Sequence, residues 1–396
     1  MAKFRLAVIN TQPPHLYYGG VERRITETAK RLQTKADITV YSGTKRGFKT
    51  PAIIAGTTLV PLNSTDRFFP LDNWSFNRSL TKNAVNLNAE VFEAHAVSGY
   101  GLPKKLRQLN IKKPFIHTIH GVLADEHEQA KNGGANSLRD RVANALMGRQ
   151  AKLERQMSKD ATLIVTISNY SLQKMQKHYD VDTAKVRIVP NGVDTEKFKP
   201  QNDVATAKRQ FGLGDEPCVL FVGSLIPRKG LPFLVEAAKK IVKSHADAKF
   251  VLVGDGPLRV PLQNSLAEAK LSGNFMFLNQ VGEDALPAVY NCADVFVLPS
   301  IQEGQGIVLL EAQASAKPVV AFDIGGVDEA VRSGETGLLV QRGDAGELAE
   351  ALLKLLDDRA LRVKMGSEGR RFIQEMFTWD ICAQGMLRVY HEALAT

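Results

Sequence analysis

Residues 295–311 read VFVLPSIQEGQGIVLLE, a buried strand followed by a glycine-containing loop and the start of an apolar helix. The four consecutive apolar residues Val295–Leu298 are typical of a strand buried in a parallel sheet. The loop carries Glu303, and the helix that begins near Gly306 carries Glu311 among apolar neighbours. The same succession of strand, loop and helix recurs along the whole chain, which predicts an α/β fold built from βα units on parallel sheets.

The chain is too long for a single domain. Its 396 residues exceed the roughly 250–300 residues that one hydrophobic core supports, so we expect two doubly wound, Rossmann-like domains. The boundary is predicted in the polar stretch after residues 189–192, which places the first domain at 1–198 and the second at 199–377. Ligands of such sheets bind beyond the carboxyl ends of the strands, so we expect the two domains to face each other across a ligand cleft.

Composition excludes several protein classes. The 44% hydrophobic and 23% charged content is too apolar for a disordered chain. Every uninterrupted apolar run is far shorter than the ~20 residues of a membrane-spanning helix, which favours a cytoplasmic protein without an export signal. Widely spaced Cys218, Cys292 and Cys382 lie among apolar neighbours, and we expect reduced thiols rather than a metal site.

The net charge of +9 is distributed unevenly along the chain. Residues 1–200 contain 31 Lys and Arg against 17 Asp and Glu, a net charge of +14, and the remainder carries −5. This asymmetry predicts that the first half meets an anionic partner. Nucleic acid, an acidic membrane surface and a phosphorylated small molecule all satisfy that prediction.

Two motifs combine glycines or cations with the start of a helix. Gly19 and Gly20 precede the first long helix, whose free N–H groups could hold a phosphate or a sugar hydroxyl. Arg228 and Lys229 follow the strand that ends at Gly223. A planar guanidinium and a compact ammonium in the predicted cleft could together neutralise the two phosphates of a nucleoside diphosphate.

The 295–311 segment adds two carboxylates to this set. Glu311 would be costly to bury without hydrogen bonds, and the vicinal hydroxyls of a ribose are suitable partners for it. The backbone N–H groups of Gln305, Gly306 and Ile307 stand at the helix start, where they could point toward a diphosphate. These features predict a nucleotide site in the second domain.

With these motifs in this order, the sequence resembles the retaining glycosyltransferases of family 4, whose two-domain fold is called GT-B. The resemblance covers essentially the whole chain and implies that a C-terminal helix at 378–396 crosses back onto the first domain. The first domain would then be the acceptor side, and the second would bind the nucleotide sugar. The matching segments are GGVE at 19–22, HTIHG at 117–121, VPNGVD at 189–194, RKG at 228–230, VGDGP at 253–257, and Glu303 and Glu311 with Gly304 and Gly306.

The resemblance also implies residue roles. Arg228 and Lys229 would bind the donor diphosphate, Glu303 the hydroxyls of the transferred sugar, and His120 would lie near that sugar and the acceptor. One departure is Ser224, where many members carry an arginine, so Arg228 and Lys229 would carry more of the phosphate binding. The implied donor-binding residues are Gly19, Gly20, Gly223, Gly254, Asp255, Gly256, Val281, Gly304, Gln305, Gly306, Ile307 and Glu311.

The implied activity is transfer of a hexose from a nucleoside-diphosphate sugar to a hydroxyl acceptor. A UDP-sugar is favoured as donor over GDP-mannose, with a front-face mechanism that retains the anomeric configuration. We expect no cofactor and no required metal, since Asp180 and Asp182, which match an Asp-x-Asp metal signature, lie in a polar turn where helix capping is the better explanation.

The acceptor is expected in the synthesis of a cell-envelope polysaccharide, a lipopolysaccharide or a glycolipid. Basic residues 104–107 and 112–113, with the aromatic and charged segment 67–74, could hold a phosphorylated acceptor or rest peripherally on the inner face of an anionic membrane. Two alternatives stay open: a GT-B sugar-nucleotide epimerase or phosphorylase, and a nucleic-acid-binding protein. The second leaves Glu303 and Glu311 unexplained.

Overall fold

The computed structural model describes residues 3–17, 19–132, 138–279 and 281–396. Among these residues, numbered in chain order, the strands are β1 Phe4–Ile9, β2 Ala36–Gly43, β3 Ala52–Ile54, β4 Thr57–Leu62, β5 Val91–His95, β6 Phe115–Ile119, β7 Leu163–Thr166, β8 Val186–Ile188, β9 Cys218–Val222, β10 Lys249–Val253, β11 Phe275–Leu278, β12 Val295–Leu298, β13 Val319–Phe322 and β14 Gly337–Val340.

The α-helices alternate with the strands along most of the chain, as the recurring succession of strand, loop and helix predicted. In the same described ranges they are α1 Gly20–Leu32, α2 Phe69–Lys82, α3 Leu102–Gln108, α4 Leu123–Asn132, α5 Leu138–Asp160, α6 Asn169–Tyr179, α7 Val204–Gln210, α8 Leu231–Ile241, α9 Arg259–Glu268, α10 Leu286–Cys292, α11 Ile307–Ala314, α12 Val327–Ala330, α13 Ala345–Asp357, α14 Arg359–Met376 and α15 Trp379–Ala395. No helix in these ranges combines the length and the apolarity needed to cross a bilayer.

The chain divides into two compact units, each built on one sheet. The first unit comprises Met1–Asn191 and Trp379–Thr396, and the second comprises Gly192–Thr378. The described strands of the first unit form a sheet in the order β3-β4-β2-β1-β5-β6-β7-β8. All neighbours are parallel except the β3/β4 pair at the sheet edge. The α/β prediction is confirmed.

The second sheet has the order β11-β10-β9-β12-β13-β14, with every described pair parallel. The chain runs outward from β9 to β11 and then returns to the other side of β9 with β12. Strand order therefore reverses between β9 and β12, which is where open parallel sheets bind their ligands. Both strands are buried throughout.

The first unit ends at Asn191, seven residues before the predicted boundary at 198. The intervening segment packs with the second unit: the Val193 N–H donates to Phe377 O at 2.8 Å, and the Phe198 ring lies 5.6 Å from that of Tyr290. Both Val193 and Phe198 are buried in the second core. The polar composition of this stretch predicted a connection between the domains, but it did not predict that Val193 and Phe198 are buried in the second core.

The C-terminal helix α15 belongs to the first unit and packs on α1. Trp379, Met386 and Tyr390 lie on its buried face. Cys382 on this helix is a free buried thiol, as are Cys218 and Cys292 in the second unit.

Candidate active site

The predicted donor residues of the second unit collect at one edge of its sheet. Their loops follow the carboxyl ends of β9, β10, β11 and β12, which are consecutive neighbours in the sheet. Backbone hydrogen bonds join these loops, with Ile301 N–H donating to Arg228 O at 2.8 Å and Leu225 N–H donating to Asp255 O at 3.0 Å. Residues far apart in sequence are thus held in a single loop cluster beyond the strand ends.

An ion pair between Lys229 and Glu303 spans the point where strand order reverses. Lys229 ends a single 3₁₀ turn, Pro227–Lys229, and its Nζ donates to Glu303 Oε2 at 2.6 Å. Both side chains are largely withdrawn from solvent, at 10% and 13% exposure. The Arg228 guanidinium lies 3.8 Å from the same oxygen but is 46% exposed. Two cations and one carboxylate, all predicted as catalytic residues, therefore meet here.

The charge state of Glu303 follows from its neighbours. Burial alone would raise the pKa of this carboxyl, but Lys229 and Arg228 outweigh burial and hold the pKa of Glu303 below its ordinary value. Ser300 Oγ adds a hydrogen bond at 3.4 Å. The group is therefore an acceptor-only carboxylate at neutral pH, which suits it to receive hydrogen bonds from hydroxyls.

Glu311 lies in α11 and is 1% exposed. Its Oε2 accepts a 2.7 Å hydrogen bond from the hydroxyl of Tyr290, a fully buried residue of α10. The prediction that this carboxylate accepts hydrogen bonds is thus confirmed for a protein donor, and Tyr290 is a residue that sequence reasoning missed. A tyrosine in a helix of apolar residues carried no signal that distinguishes a hydrogen-bond donor from a core aromatic.

The loop after β10 approaches the loop after β9 very closely. Gly254 has φ 129°, and a Cβ at this position would overlap the carbonyl oxygen of Gly223. Next to it, Asp255 Oδ1 accepts the Gly256 N–H at 2.9 Å, and the Asp255 side chain is 62% exposed. Val281, three residues beyond β11, is partly buried against the core.

The loop after β12 leads directly into α11. Gly304 and Ile307 are partly buried, whereas Gln305 and Gly306 are buried. Gly306 is the N-cap residue of α11 and supplies no capping side chain. The first N–H groups of this eight-residue helix therefore point out of the sheet edge without a side-chain cap from Gly306, in a position suited to an anion.

In the first unit, the predicted residues also lie at strand ends. Gly19 and Gly20 are exposed at the start of α1, after the β1 loop. Behind them Glu22 is 5% exposed, and its Oε1 accepts a 3.0 Å hydrogen bond from Asn10 Nδ2. Burial raises the pKa of Glu22, and the Asn10 hydrogen bond opposes that rise. This bond ties the end of β1 to the first turn of α1.

His120 stands at the end of β6, beside His95 at the end of β5. The ring nitrogens His120 Nε2 and His95 Nδ1 are 2.9 Å apart, and the rings stack with centroids 5.2 Å apart. His95 Nε2 lies 3.4 Å from Glu93 Oε1. A proton on His95 Nε2 facing this carboxyl makes His95 Nδ1 an acceptor, so His120 donates its Nε2–H and keeps Nδ1 as an acceptor.

Burial lowers the pKa of His120 well below its usual value, and electrostatic interactions with His95 and Arg24 lower it further. His120 is therefore a neutral imidazole at pH 7. Among the described residues His120 Nδ1 has no hydrogen-bond partner, so this neutral ring can accept a hydrogen bond from a hydroxyl, which suits a residue that orients an alcohol.

Glu93 links this pair to the C-terminal helix. Thr118 Oγ1 donates to its Oε1 at 2.6 Å, and the Tyr390 hydroxyl of α15 donates to its Oε2. Burial raises the pKa of Glu93, and the hydrogen bonds from Thr118 and Tyr390, with the charge of Arg24, oppose that rise. Sequence reasoning missed Glu93 and His95, although an acidic residue and a histidine at the end of an otherwise apolar strand are a usable signal.

Arg24 is the largest charged side chain buried in the first unit, at 1% exposure among the described residues. Its guanidinium donates to Val189 O at 2.8 Å, to Asn191 Oδ1 at 3.0 Å and to Met386 Sδ at 3.1 Å. It therefore joins α1, the chain after β8 and α15 behind the strand-end residues.

Two other polar features have structural roles. Asp182 caps the 3₁₀ turn Thr183–Lys185 by accepting the Ala184 N–H at 3.0 Å, which confirms the capping prediction for this residue. His117 is fully buried between Ala96 O, at 2.7 Å, and Ser158 Oγ, at 3.1 Å. Burial lowers the pKa of His117 to about 4, so it is a neutral core residue.

Each half of the chain matches the profile of a known protein family. Residues 203–372 match the profile described as "Glycosyl transferases group 1", and residues 18–197 match "Glycosyltransferase Family 4". Among curated relatives, the D-inositol 3-phosphate glycosyltransferase of Corynebacterium glutamicum is 32% identical over 291 residues, which cover 71% of this chain and 67% of the relative.

A second relative is the GDP-mannose-dependent alpha-(1-6)-phosphatidylinositol monomannoside mannosyltransferase of Mycobacterium tuberculosis. It is 34% identical over 57% of this chain, and the match spans 60% of the relative's length. Among solved structures, sucrose-phosphate synthase from Thermosynechococcus elongatus superposes with a TM-score of 0.86 at 22% identity, covering 99% of this chain and 100% of that one. The chain belongs to the family-4 glycosyltransferases of the GT-B fold and is an enzyme of the transferase class.

Proposed function

We propose that the enzyme transfers a hexose from a nucleoside-diphosphate sugar to a hydroxyl acceptor, with retention of anomeric configuration. The observation that carries this proposal is the buried Lys229–Glu303 pair, joined by Arg228, at the strand-order reversal of the second sheet. The two cations can bind the diphosphate of the donor, and the carboxylate beside them can bind the hydroxyls of its sugar. Transfer from a nucleoside-diphosphate sugar needs such stabilisation of the departing diphosphate.

In the proposed reaction, the bond between the anomeric carbon and the leaving phosphate oxygen breaks while the acceptor oxygen bonds to the same face of that carbon. The acceptor proton passes to the departing phosphate oxygen. Lys229, Arg228 and the N–H groups at the start of α11 stabilise the negative charge that develops on the diphosphate. Because these groups already supply positive charge, we propose that no metal ion or other cofactor is required.

The remaining site residues have proposed roles in orientation. Glu303 accepts hydrogen bonds from hydroxyls of the transferred sugar, and Glu311 accepts those of the ribose while Tyr290 holds its carboxylate in place. The close approach of the backbone at Gly254 to the backbone at Gly223 shapes the part of the proposed site that receives the nucleotide. On the acceptor side, His120 accepts a hydrogen bond at Nδ1 from the reacting hydroxyl, with His95 fixing its tautomer.

The donor is proposed to be GDP-mannose or a UDP-sugar. One relative's name specifies GDP-mannose, whereas the family resemblance favours a UDP-sugar. The names of both relatives specify acceptors that contain an inositol phosphate. We propose a phosphorylated or lipid-linked hydroxyl acceptor in envelope polysaccharide or glycolipid synthesis, which gives the basic first unit a partner.

Peripheral contact with an anionic membrane is part of this proposal. Phe68 and Trp74, which lie at and near the start of α2, are 63% and 47% exposed, and the Arg78 guanidinium lies 5.6 Å from the Trp74 ring centroid. Exposed aromatic side chains beside cations are suited to the interface of an anionic bilayer.

A donor screen tests the proposed function. Thermal unfolding of the full chain is measured with UDP, GDP, ADP and their sugar conjugates, and the correct nucleotide is expected to raise the midpoint because it binds only the folded state. The stabilising sugar nucleotide is then incubated without acceptor, where slow release of free sugar is expected. Formation of an epimer would instead identify an epimerase, and the absence of any stabilising nucleotide would contradict the proposal.

A further inference from the structure

A cavity of about 920 Å³ lies in the first unit between α4, α5 and the end of α6, apart from the strand-end residues. Its size falls within the range of cavities that enclose small organic ligands. The residues around it are unusually rich in cations and in small side chains. They are Ala124, His127, Lys131, Arg141, Asn144, Ala145, Gly148, Arg149, Ala151, Lys152, Arg155, His178 and Tyr179.

The cations of α5 form one row along the cavity. Arg141, Arg149, Lys152 and Arg155 are separated by eight, three and three residues, a spacing that places all four on one face of the helix. Like charges at such spacings repel one another, and all four side chains are exposed, so they are accessible to an anion.

The opposite wall is formed by α4 and the end of α6. Lys131 adds a fifth cation, and His127 of α4 lies against α5 at Gly148, where a Cβ would come within 2.7 Å of His127 Cε1. Glycine at this position therefore allows the imidazole to approach the helix. Burial lowers the pKa of His127, and the charge of Lys131 lowers it further, which indicates a positive field at this wall.

The five Lys and Arg side chains of this cavity form no ion pair with a carboxylate in the part of the chain that the structure describes. Within the described ranges, no carboxylate oxygen lies within 4.0 Å of the charged nitrogens of the five cations. Asp125 and Glu128 of α4 are paired at 2.8 Å with Lys174 and Lys177 of α6, and they lie 3.8 and 3.5 Å from Nε2 of His178 at the edge of the cavity. Glu154 of α5 is buried, and burial raises its pKa to about 8, so it is uncharged at neutral pH.

We propose that this cavity is a binding site for a small molecule that carries a phosphate or diphosphate monoester. Arginine forks bind phosphate through paired hydrogen bonds, and Arg149 and Arg155 stand on either side of Lys152 along the row. The methyl groups of Ala124, Ala145 and Ala151 with the Tyr179 ring provide a neutral wall for the rest of the molecule. The site is separate from the proposed donor site and does not depend on it.

Calorimetry with inorganic pyrophosphate tests the site. The full chain carries Arg228→Ala and Lys229→Ala, which remove both cations of the proposed donor site and so weaken binding of the probe there. We expect saturable binding of one pyrophosphate, weakened about tenfold or more by Arg149→Gln with Lys152→Gln because two charge-assisted contacts are lost. The matched control, Lys112→Gln with Lys113→Gln, removes the same charge from an exposed loop and is expected to change the affinity less than about twofold.

A second probe distinguishes the two sources of such a phosphate. Short-chain phosphatidic acid, below its micelle concentration, is compared with pyrophosphate and with short-chain phosphatidylcholine. Tighter binding of phosphatidic acid identifies a lipid phosphate, and tighter binding of pyrophosphate identifies a soluble one; either supports the site. Three results would overturn the site: phosphatidylcholine that binds as tightly as phosphatidic acid, no saturable binding of either phosphate probe, or the same loss of pyrophosphate affinity in the Arg149/Lys152 variant and in the Lys112/Lys113 control.

If the variant with Arg149→Gln and Lys152→Gln fails to fold, an NMR measurement on the chain without these two substitutions still tests the site. The imidazole signals of His127 are followed by NMR in the chain that retains Arg149 and Lys152. Pyrophosphate is expected to shift them and to raise the pKa of His127, because an anion favours the charged ring. Gly148→Ala, which displaces this ring, is expected to weaken binding, and His127 signals that do not respond to saturating pyrophosphate would contradict the proposal.

Discussion

At the residue scale, the Lys229–Glu303 pair explains how two charged side chains can be buried together beyond the strand ends. Each would be costly to hold at 10% or 13% exposure without the other. Bringing them together leaves the more exposed Arg228 available to solvent and, in our proposal, to the donor phosphates. The adjacency follows from topology, since their loops leave the two strands between which the order reverses.

Lys229→Ala should lower kcat by about 10²–10³, the loss typical of one electrostatic donor in a preorganised site. The same change removes the main charge that lowers the pKa of Glu303, so this pKa should rise toward the value set by burial. Steady-state kinetics with the identified donor check the first effect. Lys239→Ala, an exposed residue of the adjacent helix α8, is the control, and comparable turnover in the two variants would contradict the assigned role.

Tyr290→Phe removes one hydroxyl from the second unit while leaving the aromatic ring. Because that hydroxyl holds Glu311 Oε2, we expect the affinity for the nucleoside diphosphate to fall several-fold, in line with about 1 kcal/mol for one hydrogen bond. Calorimetric titration of the nucleotide measures this. Glu311→Ala should reduce the affinity further, and unchanged nucleotide binding in that variant would exclude the ribose contact.

At the scale of elements, regular structure was far more predictable than the contacts between elements. Val295–Leu298 was predicted with the bounds observed, because its continuous apolar run identifies a buried parallel strand. The short edge strand Ala52–Ile54 was missed, since it is half-exposed and has no alternation. The Tyr390–Glu93 hydrogen bond joins residues 297 positions apart, and no local pattern encodes such a pairing.

The contact of α5 with α4 and α6 predicts a dependence of stability on pH. Glu154 accepts hydrogen bonds from Leu123 N–H and from the Tyr179 hydroxyl, and burial raises its pKa from 4.5 to about 8. Between these values the folded chain holds a proton that the unfolded chain has released. Its stabilising contribution is therefore complete below pH 4.5 and is lost, by about 1.4 kcal/mol per pH unit, as pH rises toward 8.

Glu154→Gln should abolish that part of the pH dependence. The difference in free energy of unfolding between the variant and the unmodified chain, measured by urea denaturation from about pH 5 to about pH 8, is expected to move steadily in favour of the variant. Glu350→Gln, the same change at an exposed position of α13, should give a constant difference. A constant difference for Glu154→Gln as well would show that this carboxyl ionises normally.

At the scale of the whole molecule, the charge asymmetry separates the two units. The first unit carries 30 Lys and Arg against 17 Asp and Glu, and the second carries 21 against 25. Arg228, Lys229 and the start of α11, the proposed diphosphate contacts, nevertheless belong to the acidic unit, because such groups act over a few ångströms whatever the net charge around them. In our proposal, the excess positive charge of the first unit serves the acceptor or the membrane that carries it.

Salt should accordingly affect membrane binding much more than nucleotide binding. In co-sedimentation, we expect the full chain to bind phosphatidylglycerol vesicles at about 50 mM salt and to dissociate at about 500 mM, where the screening length falls to a few ångströms. Nucleoside diphosphate affinity should change little, since Lys229 is largely buried. Lys104→Gln with Lys105→Gln should weaken vesicle binding, whereas Lys239→Gln with Lys240→Gln in the second unit should not. Equal binding to neutral phosphatidylcholine vesicles would show that the basic charge of the first unit does not attract the membrane.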